Sequence, residues 1–192
     1  MPEPNVLIIG GGVAGLTAAL ELSRFGVRST VVESAPFAGG YAIGFSCKAT
    51  SACVRCGACL AEDRLENAVQ TPEIRLLPSS RLLELSRANG SFSAAVLRSP
   101  RCVDPDRCTG CGRCLDACPE GAVQRAPSPF NRPPVAVDPG RCTRITGGDC
   151  RACMEACPES ALSFDRDEER LALEPDAVIL ASGFRAFDPR DK

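Results

Sequence analysis

Apolar positions fall in two rhythms along this chain. Residues 5–9, Asn-Val-Leu-Ile-Ile, carry a continuous apolar run stopped by glycine, the pattern of a strand buried in a parallel sheet. After Gly10-Gly11-Gly12-Val13-Ala14-Gly15, the residues Leu16, Ala19, Leu20 and Phe25 recur at helical spacing, and Gly26 stands where a C-cap belongs. Ser29-Thr30-Val31-Val32-Glu33 reads as a β-branched strand ending in an acid. From Leu76 to Leu97 the alternation around Ala88-Asn89-Gly90-Ser91 predicts strands and a hairpin, arranged as a β-meander. Pro127, Pro129, Pro133 and Pro134 mark an irregular linker with no assigned function, in which Phe130 is expected to pack rather than to cover a ligand. Asp165 to Glu169 reads as an exposed acidic turn. Glu174-Pro175-Asp176 then leads into a last buried strand, Ala177-Val178-Ile179-Leu180-Ala181, followed by the small-residue turn Ser182-Gly183.

The first three elements make a complete βαβ unit around Gly10-x-Gly12-x-x-Gly15. Gly10 makes the tight turn, Gly12 lets a pyrophosphate approach the backbone, and Gly15 lets the helix pack on the strand. The helix start at Val13 and Ala14 offers orphan N–H groups and a partial positive charge to that pyrophosphate. Glu33, 18 residues beyond Gly15, is placed to accept hydrogen bonds from ribose hydroxyls. The plainer readings are a glycine turn kept for packing and an exposed carboxylate at a strand end; two flanking strands with the acid in place favour the nucleotide. The pair Gly39-Gly40 soon after Glu33 resembles FAD enzymes more than NAD enzymes, so the expected nucleotide is a flavin.

Composition narrows the classes further. The 192 residues hold Lys+Arg 22 against Asp+Glu 24, a formal charge of −2, which excludes binding nucleic acid through a large basic surface. Apolar residues at 44% suffice for a globular core. No apolar run approaches the roughly twenty residues of a membrane span. Met1-Pro2-Glu3-Pro4 does not resemble a secretory leader, so a cytoplasmic location is expected. Thirteen cysteines without an export signal are then expected to be metal ligands, held by thiolate because the chain has no histidine.

Those cysteines lie in an internal repeat over residues 103–165. Val103-Asp104-Pro105-Asp106-Arg107-Cys108-Thr109 matches Val137-Asp138-Pro139-Gly140-Arg141-Cys142-Thr143, and Cys111, Cys114 and Cys118-Pro119-Glu120 match Cys150, Cys153 and Cys157-Pro158-Glu159. The offset grows from 34 to 39, so five residues are inserted after Cys142. The first copy is the ligand run of bacterial ferredoxins, in which the fourth cysteine crosses over to the other cluster. One 4Fe-4S cluster is thus expected on Cys108, Cys111, Cys114 and Cys157, the other on Cys142, Cys150, Cys153 and Cys118. Ala122-Val123 and Ala161-Leu162 begin the packing segments behind them. Two structural zinc sites are the competing reading; zinc knuckles are usually more widely separated and lack this run before proline.

Cys53, Cys56 and Cys59 repeat the three-ligand spacing, with Cys47 upstream. A third 4Fe-4S cluster is expected there, its fourth ligand Cys47 or Cys102. A zinc knuckle, metal-free thiols and a site completed by a partner chain are the alternatives, and a lone Cys102 is otherwise a small buried hydrophobe.

The resulting fold class is α/β: an incomplete, discontinuous Rossmann-type FAD-binding domain, residues 1–100 with 166–192, and an inserted α+β two-cluster ferredoxin-like domain, residues 101–165. The chain stops soon after Gly183, leaving little room for a nicotinamide domain or further strands over the flavin.

In its order of parts the chain resembles the amino-terminal part of the heterodisulfide reductase A-subunit family. The resemblance runs through the glycine loop and Glu33, Gly39-Gly40, Cys56-x2-Cys59, Pro72-Glu73-Ile74-Arg75-Leu76-Leu77, the ferredoxin repeat, and Ile179-Leu180-Ala181-Ser182-Gly183-Phe184, which is similar to the family's I-L-A-T-G-F. It implies that Ala181 and Gly183 join the FAD site. It also implies a cytoplasmic iron–sulfur flavoprotein within a large electron-transfer assembly, some such assemblies being electron-bifurcating. The family usually continues through the remainder of the FAD domain, and Cys47 and Cys53 are additions to its pattern. The expected role is an electron-transfer subunit, with no side chain serving as an acid–base catalyst. The alternatives are a flavin-free wire, its FAD site lost or completed by another chain, and a zinc-bound scaffold.

Overall fold

The computed structural model describes residues 4–45, 59–88, 90–165 and 167–184. In chain order its elements are β1 (Asn5–Ile9), α1 (Val13–Ser23), β2 (Arg28–Val32), a 3-10 turn (Tyr41–Gly44), α2 (Leu60–Gln70), β3 (Ile74–Leu77), β4 (Ser80–Ala88) and β5 (Ser91–Arg98). Then come α3 (Arg113–Asp116), β6 (Val123–Arg125), β7 (Val135–Val137), α4 (Ala152–Glu155), β8 (Glu169–Leu173) and β9 (Ala177–Leu180).

Four strands form a parallel sheet in the order β3-β2-β1-β9, with Ile8 opposite Val31 on one side and Ile179 on the other. Successive side chains on a strand point to opposite faces, and both faces are covered along β1 and β2. Strand β9, expected as a buried strand, is instead an edge strand with Ala177 and Leu180 exposed. Val6, Ile8, Val31 and Ile74 pack with Leu16 and Ala19 of α1 and Leu65 and Ala68 of α2. Leu7, Val32 and Leu77 pack with Ala94 and Val96 of an antiparallel sheet ordered β4-β5-β8. Ile8, Leu16, Val31 and Val96 are all 0% exposed, each burial contributing about 1.5–3 kcal/mol.

Several expectations change in detail. Helix α1 ends at Ser23, so Phe25 lies beyond it and is exposed; Gly26 carries the turn instead, where Val27 N–H donates to Leu22 O at 3.1 Å. The strands after Leu76 are not a meander. β4 and β5 form the hairpin, but the third strand of that sheet is β8, contributed after the cysteine repeats. Glu169 therefore opens a strand rather than closing a turn, paired in register with Arg98 and held to it by an ion pair of 3.5 Å. Helix α2, not expected from the sequence, buries Ala61, Leu65 and Ala68 at helical spacing and carries Glu62 and Asp63 in its first turn, where the helix dipole favours acids.

The cysteine repeats fold as a pair. Strands β6 and β7 run antiparallel, and Val103 bridges Leu162 in the same sense. Each repeat opens on a matching turn: Asp104 Oδ1 accepts the N–H of Asp106 at 3.0 Å, and Asp138 Oδ1 accepts that of Gly140 at 2.9 Å. The core of this module joins Val103, Val123, Val135 and Leu162 to the buried Cys114 and Cys153. So small a core, with cysteine in its centre, is the situation in which metal binding supplies folding free energy.

The linker between the repeats is less idle than its prolines suggest. Phe130 packs into the core of the parallel sheet, as expected of a packing residue, and Ser128 Oγ donates to Glu62 Oε1 at 3.2 Å. Among the described residues no helix is long and apolar enough to cross a membrane.

Candidate cofactor sites

At the carboxyl ends of β1 and β2 lies a cleft of about 730 Å³, bordered by Gly10, Gly12, Val13, Ala14, Glu33, Gly39, Gly40, Ala181 and Gly183. Carboxyl strand ends are where open α/β sheets take ligands. Close backbone approach shapes this cleft. A Cβ on Gly10 would strike the carbonyl of Ala181, and one on Gly15 would strike the carbonyl of Gly10. Gly15 is buried against the strand and does not border the cleft, in keeping with the packing job its motif position predicts. A Cβ on Gly40 would lie 2.8 Å from Gly12 Cα, and Gly39 N–H donates to Gly11 O at 2.7 Å, so the second glycine pair seats directly on the first loop.

Glu33 projects from the end of β2 into this loop. Its Oε2 accepts the N–H of Gly11 at 2.8 Å and its Oε1 accepts that of Ala35 at 2.7 Å. Oε1 also accepts the Ser34 hydroxyl at 3.3 Å, so Oε2 is the oxygen that retains acceptor capacity for a further hydroxyl. Exposed aromatic rings flank the far end: Tyr41 meets Phe45 edge to face at 5.5 Å and Phe184 at 5.9 Å. A dinucleotide fits this arrangement, with pyrophosphate at the start of α1 and ribose at Glu33.

The cysteines converge in two sets. Cys108, Cys111, Cys114 and Cys157 border one pocket; Cys118, Cys142, Cys150 and Cys153 border another. Each set takes three ligands from one repeat and the fourth from the other, the crossover that the ferredoxin spacing predicts. The fourth ligands are held alike. Cys118 Sγ accepts the N–H of Ala122 at 3.2 Å, and Cys157 Sγ accepts that of Ala161 at 3.3 Å. Such bonds favour the thiolate and tune a cluster's potential.

The ten described cysteines are all free thiols. Burial, then the neighbouring Cys118, Cys142 and Cys150, push the Cys153 thiol up to about 11. Burial, then Cys108, likewise raises Cys114. Metal must displace protons from these groups, and bound iron removes the mutual repulsion that raises them. Among the described residues no three acidic, cysteine or histidine side chains are gathered for a single metal ion.

Cys102 stands beside the second set: it is half-buried and raised to about 11 by burial and by Cys142. Of the third cysteine group only Cys59 is described, exposed and immediately before α2. Cys47, Cys53 and Cys56 lie outside the described residues.

Comparison with known proteins agrees with both sites. Residues 5–88 match the FAD dependent oxidoreductase family and residues 107–161 the 4Fe-4S dicluster domain. The chain is 32% identical to the A-subunit of ferredoxin:CoB-CoM heterodisulfide reductase of Methanosarcina acetivorans, over 98% of its own length and 25% of that protein's. It is 30% identical to the A-subunit of H(2):CoB-CoM heterodisulfide,ferredoxin reductase of Methanothermobacter thermautotrophicus, over 99% and 30% respectively. L-proline dehydrogenase from P. horikoshii is among the similar solved structures, with a TM-score of 0.39 and 22% identity over 51% of this chain and 20% of that one. The class is therefore an FAD-dependent oxidoreductase fold that carries a module for two 4Fe-4S clusters. The chain belongs to the heterodisulfide reductase A-subunit family, spanning between a quarter and a third of the length of these relatives.

Proposed function

We propose that the chain is an iron–sulfur flavoprotein electron-transfer subunit of a larger heterodisulfide-reductase-like complex, passing electrons between FAD and partner subunits through 4Fe-4S clusters. The observation that carries this reading is the cysteine crossover, two four-thiol pockets in a chain that also forms a dinucleotide cleft. FAD, when bound, supplies the exchange between electron pairs and single electrons. The chain's own residues bind and orient. Gly10, Gly12, Val13 and Ala14 hold the pyrophosphate and Gly15 keeps the helix close; Glu33 holds the ribose; Gly39, Gly40, Ala181 and Gly183 shape the rest of the cleft. Cys108, Cys111, Cys114 and Cys157 carry one cluster, and Cys118, Cys142, Cys150 and Cys153 the other. No side chain is needed as an acid or base.

A third cluster on Cys47, Cys53, Cys56 and Cys59 is part of this reading and is supported by spacing. So is the division into a discontinuous Rossmann-type domain, 1–100 with 166–192, and a ferredoxin-like domain, 101–165. The pairing of β9 with β1 and of β8 with β5 supports it. Redox partner subunits are proposed because the relatives are named as subunits, one such partner completing the FAD site beside the exposed Leu180 and Phe184. A thiol-rich chain with no disulfide among the described cysteines fits the cytoplasm.

The test is anaerobic quantitation of iron, sulfide, zinc and flavin on one purified sample, with and without partner chains. About twelve iron and one FAD per chain is the expected result, and about eight iron would remove the third cluster. Iron without flavin in either sample would leave a wire alone, and stoichiometric zinc without iron would overturn the proposal.

A further inference from the structure

Asn131 belongs to the linker between the cysteine repeats, yet it is buried, 5% exposed, against the nucleotide cleft's own loop. Its Oδ1 accepts the N–H of Ala38 at 2.8 Å, and its Nδ2 donates to the Ala38 carbonyl at 3.3 Å. One side chain thus satisfies both backbone groups of a buried residue, as a neighbouring strand would. Ala38 leads directly into Gly39 and Gly40, whose φ angles of +114° and +62° set the loop that rests on Gly11 and Gly12. The other end of the linker lies against the first cysteine set: a Cβ on Gly110 would be 3.3 Å from Pro134 Cγ.

We propose that Asn131 is a positioning residue for FAD, through which the ferredoxin-like module fixes the Ala38-Gly39-Gly40 loop and so sets flavin affinity. The inference rests on reading the cleft as the FAD site. Removing the amide would orphan a buried N–H and a buried C=O at Ala38, and these can be satisfied again only if the loop moves off the glycine turn.

The test compares Asn131→Ala with Ser128→Ala in the full chain, together with its partners where FAD uptake needs them. Ser128→Ala breaks the linker's bond to Glu62 and the one its Oγ accepts from Phe130 N–H, but keeps both bonds between Asn131 and Ala38. Three quantities are read: FAD affinity with the visible circular dichroism of the bound flavin, amide exchange at residues 38–40, and iron content. For Asn131→Ala we expect FAD affinity to fall by about tenfold or more, a changed flavin dichroism, faster exchange at 38–40 and unchanged iron. Ser128→Ala should match the parent in all of these. If Asn131→Ala does not accumulate, Asn131→Ser, which keeps one polar atom, takes its place with the same expected order. Unchanged affinity and exchange would overturn the proposal, as would iron lost in step with flavin. A parent chain that takes up no FAD even with its partners would overturn the reading of the cleft itself.

Discussion

Glu33 is bonded to the loop it helps to form: its Oε2 accepts the N–H of Gly11 at 2.8 Å, in the middle of the glycine turn. The carboxylate therefore braces the glycine turn, and in the proposed FAD site the spare lone pair of Oε2 is the one open to a ribose hydroxyl.

Replacing it tests both duties. Hydrogen bonds to charged groups contribute about 1.5–3 kcal/mol, so Glu33→Ala should weaken FAD binding by about 10- to 100-fold, and Glu33→Gln by less. Flavin titration measures this. Equal affinity in parent and alanine variant would place the ribose elsewhere.

The cysteine crossover makes a prediction that a local ligand scheme does not. Cys118→Ser should remove the cluster of Cys142, Cys150 and Cys153 while leaving that of Cys108, Cys111 and Cys114, and Cys157→Ser should do the reverse. Double variants within one set, such as Cys118→Ser with Cys150→Ser, should lose no more iron than either single change. Loss of about eight iron from every single variant would show instead that neither cluster survives alone.

Gly121 and Ser160 occupy matching places after the two Cys-Pro turns, with φ of +57° and +46°. Glycine is at ease there and serine is strained by about 1–2 kcal/mol. Ser160→Gly should raise stability by about 0.5–1 kcal/mol, the unfolded glycine's greater freedom taking back the rest. A denaturant midpoint on cluster-loaded protein that falls or stays level would contradict this.

Cluster-free protein should lose stability in alkali. The Cys153 thiol, ordinarily at 9.0, stands at about 11 in the fold, chiefly through burial, so the folded chain holds its proton more tightly than the unfolded chain does. That contribution is complete below about pH 9 and disappears as pH rises through about 11. Iron-bound thiolates carry no such proton, so loaded protein should lack this slope. Urea midpoints across the window, on both forms, decide it.

Much of this was legible in the residues. Gly10 and Gly12 announce themselves because a tight turn close to a pyrophosphate tolerates few other residues, Glu33 because a ribose calls for an acceptor at the end of the second strand, and the repeated cysteines because thiolate spacing is dictated by a cubane. Helix α2 was harder to see, since its apolar face is only Ala61, Leu65 and Ala68 in an otherwise polar stretch. Strand β8 begins with Glu169 and Arg170, both exposed, so nothing in its opening resembles a buried strand. Asn131 was illegible for a different reason. Its partner lies 93 residues away, and a buried amide in a prolyl linker has no signature until the fold brings Ala38 beside it.

The central strand β1 takes its second neighbour from β9, so Leu7 waits for Val178 before it is flanked on both sides. On the ribosome the intervening module is synthesised first. A nascent β1 paired only with β2 presents an open sheet edge for as long as that takes. Closure of the sheet therefore waits on synthesis of the whole cysteine-rich stretch, and the β1 edge stays open to wrong pairing for that interval.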